Sequence, residues 1–307
     1  MPHPAARNVE LKARDPDPAR TLAAALALDG VEDRGVLVQR DTYLRTHRGR
    51  LKLREEDGVH AHLIAYARAD EARARTSAYV LADVSDPGVT LLALDAALGT
   101  EVVVEKERRL LLWRDVRIHL DRVAGLGDFV ELEAVAPEAS DLAAEHEKVA
   151  FLRDALFIAS HHVEATGYAA LLLAQGAATE RLVQLAREVR ERAHVPYSRF
   201  TVGAALRDET GALHAGANVE NAAYPEGHCA ETSAIGALIA RGGTRIEEVA
   251  VMADAELITP CGGCRQRLAE LAGPDVPVHL CGPEGIRRTV ALGELLPLGF
   301  GAGDLPA

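Results

Sequence analysis

His228-Cys229-Ala230-Glu231, answered further along by Thr259-Pro260-Cys261-Gly262-Gly263-Cys264, is the stretch whose reading decides the second half of this chain. Two cysteines separated by two residues can chelate one zinc ion through a tight knuckle, and Gly262 and Gly263 let the backbone turn there. Cys229 supplies a third thiolate. Each cysteine group stands where a helix is predicted to begin, so free backbone N–H groups and the helix dipole favour the thiolate form. Three protein ligands leave a fourth position open for water, which marks a catalytic zinc rather than a structural one. Glu231, two residues beyond Cys229, is placed to take a proton from that water and return it to a substrate. The competing reading is a structural zinc knuckle completed by Cys281 or His279. Glu231 speaks against it, and Cys281 then reads as a buried free thiol.

The rest of the 307-residue chain frames this motif. That length predicts two domains of ordinary size. The four cysteines, Cys229, Cys261, Cys264 and Cys281, all fall in the last third. Such clustering points to metal or catalysis rather than to a disulfide framework. No apolar run approaches the roughly 18 residues of a membrane span, and the first residues lack the apolar core of a signal peptide, so a cytoplasmic location is expected. A formal net charge of −12 argues against a nucleic-acid-binding surface.

A boundary is expected near Gln175-Gly176-Ala177-Ala178, giving domains over 1–175 and 179–307. Thr179 is expected to cap a new helix. The first part reads mainly as strands, at 36–44, 49–55, 61–68, 77–84, 101–113, 115–123 and 128–135. Helices are predicted at about 17–29, 87–98 and 140–158. The second part alternates: helix 180–193, strands 200–207 and 212–218, helix 229–240, strand 247–253, helix 262–271, strand 276–281. That is a three-layer α/β/α pattern.

The second part resembles the zinc-dependent cytidine deaminases of the small, tetrameric type. The resemblance rests on the cysteine motifs and on Val195-Pro196-Tyr197-Ser198-Arg199-Phe200-Thr201-Val202-Gly203. It rests also on Asn218-Val219-Glu220-Asn221-Ala222-Ala223-Tyr224-Pro225 and on Gly293-Glu294-Leu295-Leu296-Pro297 with Phe300. In zinc deaminases the first ligand is His or Cys, and a Glu that does not bind metal acts as acid and base. The resemblance implies Zn²⁺ on Cys229, Cys261 and Cys264, catalysis by Glu231, and a nucleoside substrate within pyrimidine salvage. It implies that Asn218 and Glu220 hold the sugar hydroxyls, a role that suits an amide beside a carboxylate because a hydroxyl both donates and accepts. Phe200 would stack on the pyrimidine, and Tyr224 and Phe300 would build the pocket across a subunit boundary. One departure stands out: many small family members carry Arg directly after Cys-Ala-Glu, offsetting the three thiolates, and this chain has Thr232. Arg265 and the helix N-termini are expected to share that work.

The first part carries charge on alternate positions of strand after strand. Glu10 and Lys12 share a face, as do Arg50, Lys52 and Arg54. So do Tyr66 and Arg68, Lys106 and Arg108, Arg117, His119 and Asp121, and Glu131 and Glu133. Singly, each is an ordinary solvated face; together they predict a closed antiparallel β barrel, flanked by helices, with a charged lumen. Residues 7–173 resemble the CYTH family of triphosphate tunnel enzymes, which includes class IV adenylate cyclases and thiamine triphosphatases. The matching segments are Asn8-Val9-Glu10-Leu11-Lys12, Asp41-Thr42-Tyr43, Gly49-Arg50-Leu51-Lys52-Leu53-Arg54, Val116-Arg117-Ile118-His119-Leu120-Asp121 and Gly125-Leu126-Gly127 followed by Phe129-Val130-Glu131-Leu132-Glu133. The resemblance implies an organic triphosphate held by Lys12, Lys52, Arg54, Arg68, Lys106, Arg108 and Arg117. It places Mg²⁺ or Mn²⁺ on Glu10, Asp121, Glu131 and Glu133. Asn8 stands where the family signature has its first Glu, and a neutral amide is a poorer ligand for a hard cation. Retained triphosphatase or cyclase catalysis and a module that only binds the ligand both stay open.

Three further readings complete the set. The deaminase substrate could be another aminated pyrimidine-like compound of the blasticidin type. The non-enzymatic alternative joins a structural zinc module to a non-catalytic triphosphate-binding domain. His60, His62, His161 and His162 present no third ligand and are left unassigned.

Overall fold

A computed structural model describes residues 6–67, 75–137, 139–301 and 304. By spatial clustering the chain divides into two compact units, Met1–Gln175 and Gly176–Ala307.

The first unit is an antiparallel sheet of eight strands. They are β1 (Ala6–Arg14), β2 (Val31–Leu44), β3 (Arg50–Glu56), β4 (His60–Ala67), β5 (Arg75–Asp83), β6 (Thr100–Trp113), β7 (Val116–Val123) and β8 (Gly127–Ala136). They pair in the order β1-β5-β4-β3-β2-β6-β7-β8, and β1 also pairs with β8, so the sheet closes on itself. The helices of this unit are α1 (Pro18–Leu26), α2 (Pro87–Leu98) and α3 (Ala143–Ala155). Asp17 and Asp86 cap α1 and α2 through their side chains, each followed by a proline in the first turn.

One wall of this barrel is buried on both faces. Val9, Leu11, Leu111, Trp113, Val116, Ile118, Val130 and Leu132 form an apolar outer cluster with Val149 and Leu152 of α3. Because side chains alternate along a strand, their neighbours Asn8, Glu10, Lys12, Arg108, His119, Asp121, Glu131 and Glu133 lie on the opposite face. All of these but Asp121 line a cavity of about 290 Å³.

The second unit is a five-stranded sheet in the order β10-β9-β11-β12-β13. Its strands are β9 (Val202–Asp208), β10 (Leu213–Ala217), β11 (Ile246–Ala253), β12 (Pro277–Gly282) and β13 (Gly285–Ala291). Only β11 and β12 run parallel. Its helices are α5 (Ala230–Ala240), α6 (Gly262–Ala269) and the short α7 (Leu292–Leu295). Ala230, Ala234 and Leu238 of α5 and Leu268 of α6 pack with Leu206, Val249, Val251 and Leu280. The alternate strand residues Ala205, Ala250, Met252 and Cys281 pack instead with Leu182, Val183 and Ala186.

Two expectations need correction. The expected linker at Gln175–Ala178 does not exist as a break: α4 (Tyr168–Arg190) runs straight through the boundary. A single Gly176 costs about 1 kcal/mol in a helix, too little to interrupt a run of Ala and Leu. Thr179 accordingly caps nothing; its hydroxyl donates to Glu248 at 2.5 Å. The edge strand β13 was also missed, because Arg287, Arg288 and Thr289 interrupt any apolar alternation. No bounds were expected for β1 or α7; the other elements agree with the sequence reading to within a few residues, apart from the start of β2, which begins five residues earlier. Among the described residues, no helix is long and apolar enough to cross a membrane.

Gly216 on β10 marks the tightest approach that matters for function. A Cβ there would lie 2.3 Å from the Ala234 nitrogen and 2.6 Å from the Ala230 oxygen, both backbone atoms of α5. Gly216→Ala is therefore expected to destabilise by roughly 1–3 kcal/mol, the range of an overpacked core. Because α5 begins at the cysteine motif, bound zinc per chain should fall with it. Chemical denaturation and metal analysis of the purified variant check both.

Candidate metal centre and charged lumen

Cys229 is the N-cap residue of α5, Cys261 is the N-cap of α6, and Cys264 sits in the first turn of α6. Their sulfurs all lie within 4.8 Å of one another, and Cys229 and Cys261 are 3.7 Å apart. Four ligands at a Zn–S distance of about 2.3 Å in a tetrahedron stand about 3.8 Å from each other, so the donors fit zinc. Among the described residues this is the only such cluster of His, Cys, Asp or Glu. Neither Cys281 nor His279 belongs to it: Cys281 is buried in the sheet, and His279 bonds Glu248 and Thr289. The fourth position of a structural knuckle is therefore not filled by either candidate.

Its hydrogen bond with Cys264 pulls the Cys229 thiol down to about 6, and the same bond pushes Cys264 up. Glu231 lies in the first turn of α5, 3% exposed and outside the ligand cluster. Burial pushes its carboxyl above the ordinary range, and the Cys229 thiolate adds to this. A base that holds a proton more tightly than a free carboxylate is suited to carrying one between two atoms.

Arg265 does not do what the sequence suggested. Its guanidinium donates to the Pro260 carbonyl at 2.8 Å and the Leu295 carbonyl at 2.9 Å, tying α6 to the end of α7. The cation that acts on the thiolates is Arg267, which sequence reasoning missed. Its Nη1 lies only 3.1 Å from where a Gly263 side chain would begin, and its charge lowers the Cys229 thiol. The missed signal was the spacing: Arg267 stands one helical turn after Gly263.

Asn218 and Glu220 line one groove with Tyr197, Ser198, Tyr224 and Cys229. Asn218 spans the start of β9, accepting from the Val202 N–H at 2.8 Å and donating to the Phe200 carbonyl at 2.9 Å. Glu220 accepts the Tyr197 and Ser198 N–H groups at 2.9 and 3.1 Å. Both follow the end of β10 rather than lying within a strand, as had been expected. Phe200 and Phe300 do not line this groove; with Tyr224 they are exposed on the single chain.

The barrel cavity gathers most of the remaining predicted residues, and cross-strand register explains their partners. Lys12 faces Glu131, Arg117 faces Glu133, and Arg108 faces Asp121. Lys12 Nζ lies 2.6 Å from Glu131 Oε1, and Arg108 Nη2 lies 2.7 Å from Glu131 Oε2. Arg108 also grips Asp121 with two bonds of 2.6 Å, and the Tyr168 hydroxyl donates to Asp121 at 2.8 Å. Asp41, which sequence reasoning left unassigned, accepts from Lys52 at 2.6 Å and from Arg54 at 2.7 and 2.8 Å. Arg117 reaches Glu133 at 3.4 Å and is itself half-exposed. Burial pulls Lys52 down to about 8, and Lys106 is lowered by burial and by Arg108. Against the upward pull of burial, Lys12 holds Glu131 low. Arg68 falls outside the described residues.

Of the carboxylates expected to hold Mg²⁺ or Mn²⁺, Glu10 lines the cavity, while Asp121, Glu131 and Glu133 do not fit that role. A hard cation needs several convergent oxygens. Instead Asp121 and Glu131 are paired to lysine or arginine at both oxygens, and the Asn8 amide N–H points at Glu133. No three of the lumen carboxylates converge. The remaining histidines stay uninvolved: His62 pairs with Asp83, and His161 meets His162 edge-on.

Comparison with known proteins places both units. The family model of the CYTH domain matches residues 6–168, and that of the cytidine and deoxycytidylate deaminase zinc-binding region matches residues 177–280. The cytidine deaminase of Sporosarcina psychrophila is 40% identical over 127 residues, 41% of this chain and 93% of the relative. That of Halalkalibacterium halodurans is 42% identical over 127 residues, 41% and 96%. This chain belongs to the cytidine deaminases and carries a CYTH domain. The crystal structure of the Burkholderia pseudomallei cytidine deaminase shares 40% identity, covering 39% of this chain and 98% of that one at a TM-score of 0.38.

Within the deaminase unit, Arg267→Ala should weaken zinc retention roughly three- to tenfold, the effect of removing about 1 kcal/mol of attraction at an exposed position. Arg265→Ala should instead lower thermal stability. Competition with a colorimetric chelator, run beside a melting curve, separates the two.

Proposed function

We propose that the second unit hydrolyses cytidine or deoxycytidine to the uridine product and ammonia. The observation that carries the proposal is the convergence of three cysteine sulfurs on two helix N-termini with buried Glu231 beside them and the Asn218–Glu220 groove adjoining. The curated relatives named cytidine deaminase support it. Held by Cys229, Cys261 and Cys264, zinc would supply a water polarised enough to attack at neutral pH. Glu231 accepts a proton from the attacking water and delivers it to ring N3 of the pyrimidine. It then carries the second proton to the exocyclic amino group, which leaves C4 as ammonia.

The remaining residues bind and orient. Glu220 has acceptor capacity beyond its two backbone bonds, and the Asn218 amide has a second N–H, so together they can meet a sugar hydroxyl as acceptor and donor. Phe200 stacks on the base. Tyr224 is 80% exposed and Phe300 61% exposed on the single chain, which supports a homotetramer in which a neighbouring copy covers them. We read the unit as the three-layer α/β/α arrangement of that tetrameric type.

For the first unit we infer that the barrel is a tunnel whose lumen takes an organic triphosphate, supported by Lys12, Lys52, Arg54, Lys106 and Arg108 turned into one cavity. Triphosphatase or adenylate cyclase activity is the second catalytic reading that a CYTH domain suggests. It depends on Mg²⁺ or Mn²⁺, which Asp121, Glu131 and Glu133 do not fit.

Glu231→Gln should keep about one zinc per chain while kcat on cytidine falls by roughly 10³-fold or more, since it removes the proton carrier and leaves the thiolates in place. Ammonia release and metal analysis on the same preparations measure both. A zinc-loaded wild type that leaves cytidine and deoxycytidine untouched, or a fully active Gln variant, would sink the assignment. Turnover of an aminated pyrimidine antibiotic alone would move it to a different substrate.

A further inference from the structure

The charge in the barrel lumen is not evenly spread. On the β2–β3–β6 side, Lys52, Arg54, Lys106 and Arg108 meet Asp41 and Asp121, and of the four only Arg108 also reaches across to Glu131. On the β1–β8 side the carboxylates Glu131 and Glu133 are already held, by Lys12 and Arg108 and by the Asn8 amide and Arg117. One wall thus has more cations than partners, and on the other Glu131 and Glu133 have oxygens committed, with Glu10 lining the same cavity. Lys106 is the least compensated member: its Nζ reaches Asp121 only at 3.6 Å, although its side chain is 2% exposed. A buried ammonium so weakly paired is stabilised by any further anion brought within reach.

The two walls have different chemical consequences. Phosphoryl transfer in metal-dependent enzymes relies on cations that bridge the phosphate oxygens and neutralise charge as the bond breaks. A divalent ion would have to displace Lys12 and Arg108 from Glu131, and then face an N–H donor at Asn8 where a carboxylate would serve it. Anion binding asks for no such exchange, because the cation-rich wall already has donors to spare. Buried lysine and arginine hydrogen-bond phosphate oxygens strongly in a water-poor cavity.

We propose that this barrel binds a polyphosphate anion without a divalent metal and does not hydrolyse it, so that it serves the chain as a ligand-binding module. The proposal rests on the reading of the lumen as a triphosphate site. It adds that the carboxylate wall, which would turn binding into catalysis, is closed by Lys12, Arg108 and Asn8.

The test uses the full-length, zinc-loaded protein in buffer stripped of divalent ions with a chelating resin, so that the zinc on the cysteines is left in place. Inorganic tripolyphosphate is titrated calorimetrically, with and without millimolar Mg²⁺ or Mn²⁺, and phosphate release is followed from tripolyphosphate and from a nucleoside triphosphate. Binding in the absence of metal that gains no affinity when metal is added (metal complexes the anion in solution and so weakens it), with no phosphate released above the no-protein rate, is the expected result. Lys106→Gln should weaken that binding at least tenfold, with circular dichroism and cytidine turnover confirming that the variant is folded. Asn8→Glu should make binding gain affinity from metal, by restoring a carboxylate beside Glu133. Binding that requires metal, or metal-dependent phosphate release, overturns the metal-independent module while leaving the triphosphate reading standing. No binding of tripolyphosphate with or without metal removes that reading itself.

Discussion

The second unit turns on a steric constraint: α5 lies so close to β10 that only a residue without a side chain fits at position 216. Helix α5 is eleven residues long, and its first turn carries Glu231 while its N-cap is Cys229. Seating that helix against the sheet therefore fixes a ligand and the proton carrier at once. The second helix N-terminus, at α6, is held from the other side by Arg265 through two carbonyl oxygens. Three sulfurs can then meet within 4.8 Å although they come from segments about thirty residues apart. Helix N-termini are suitable supports because their unsatisfied N–H groups favour the negative thiolates. The apolar residues behind them, Ala230, Ala234, Leu238 and Leu268, keep the site from drifting.

The first unit answers a different constraint, the burial of charge. Lone ions are costly inside a protein and tolerable only when paired with good geometry. The barrel meets this through register: strands β1, β7 and β8 align so that Lys12 meets Glu131 and Arg117 meets Glu133 as direct neighbours. The same register places Val9, Leu11, Ile118, Val130 and Leu132 outward against α3. A one-residue slip would turn charged residues toward the apolar cluster and apolar residues into the lumen. Fold and lumen chemistry are thus specified by one alternation, and neither can be altered alone.

That alternation is why so much was legible in the sequence. Period-two charge on at least six strands reads directly, and so does a cysteine motif whose ligands sit two residues apart. Less legible were features that need three dimensions. Nothing local distinguishes Arg265 from Arg267, since both follow Cys264 closely; only the turn of α6 decides which guanidinium hangs over Gly263 and which reaches Pro260. The continuity of α4 was hidden because glycine and small residues read as a linker, although tertiary packing of Leu182, Val183 and Ala186 outweighs one glycine. Asp41 stood in a family-like segment but was given no role, and its importance comes from the two cations that β3 brings to it.

The chain departs from its families' patterns at two charged positions, and the structure treats them differently. Thr232 removes a cation from beside the thiolates, but Thr232 Oγ1 still lies 3.9 Å from Cys264 Sγ and Arg267 brings a positive charge over the same turn. The electrostatic need is met from a neighbouring residue, so the ligand set survives the substitution. Asn8 removes a carboxylate from the lumen, and no other acidic group takes its place; the amide instead donates to Glu133 and binds up the oxygen it should have joined. A hard cation gains its affinity from the number of anionic oxygens that converge on it. Losing one of them and occupying another acts twice on the same quantity. Compensation is possible for a field, which any nearby charge can supply, but not for a coordination sphere, which needs particular atoms at particular places. That difference explains how one unit keeps the donors its family's chemistry requires while the other keeps its cations and ties Asp121 and Glu131 up with them.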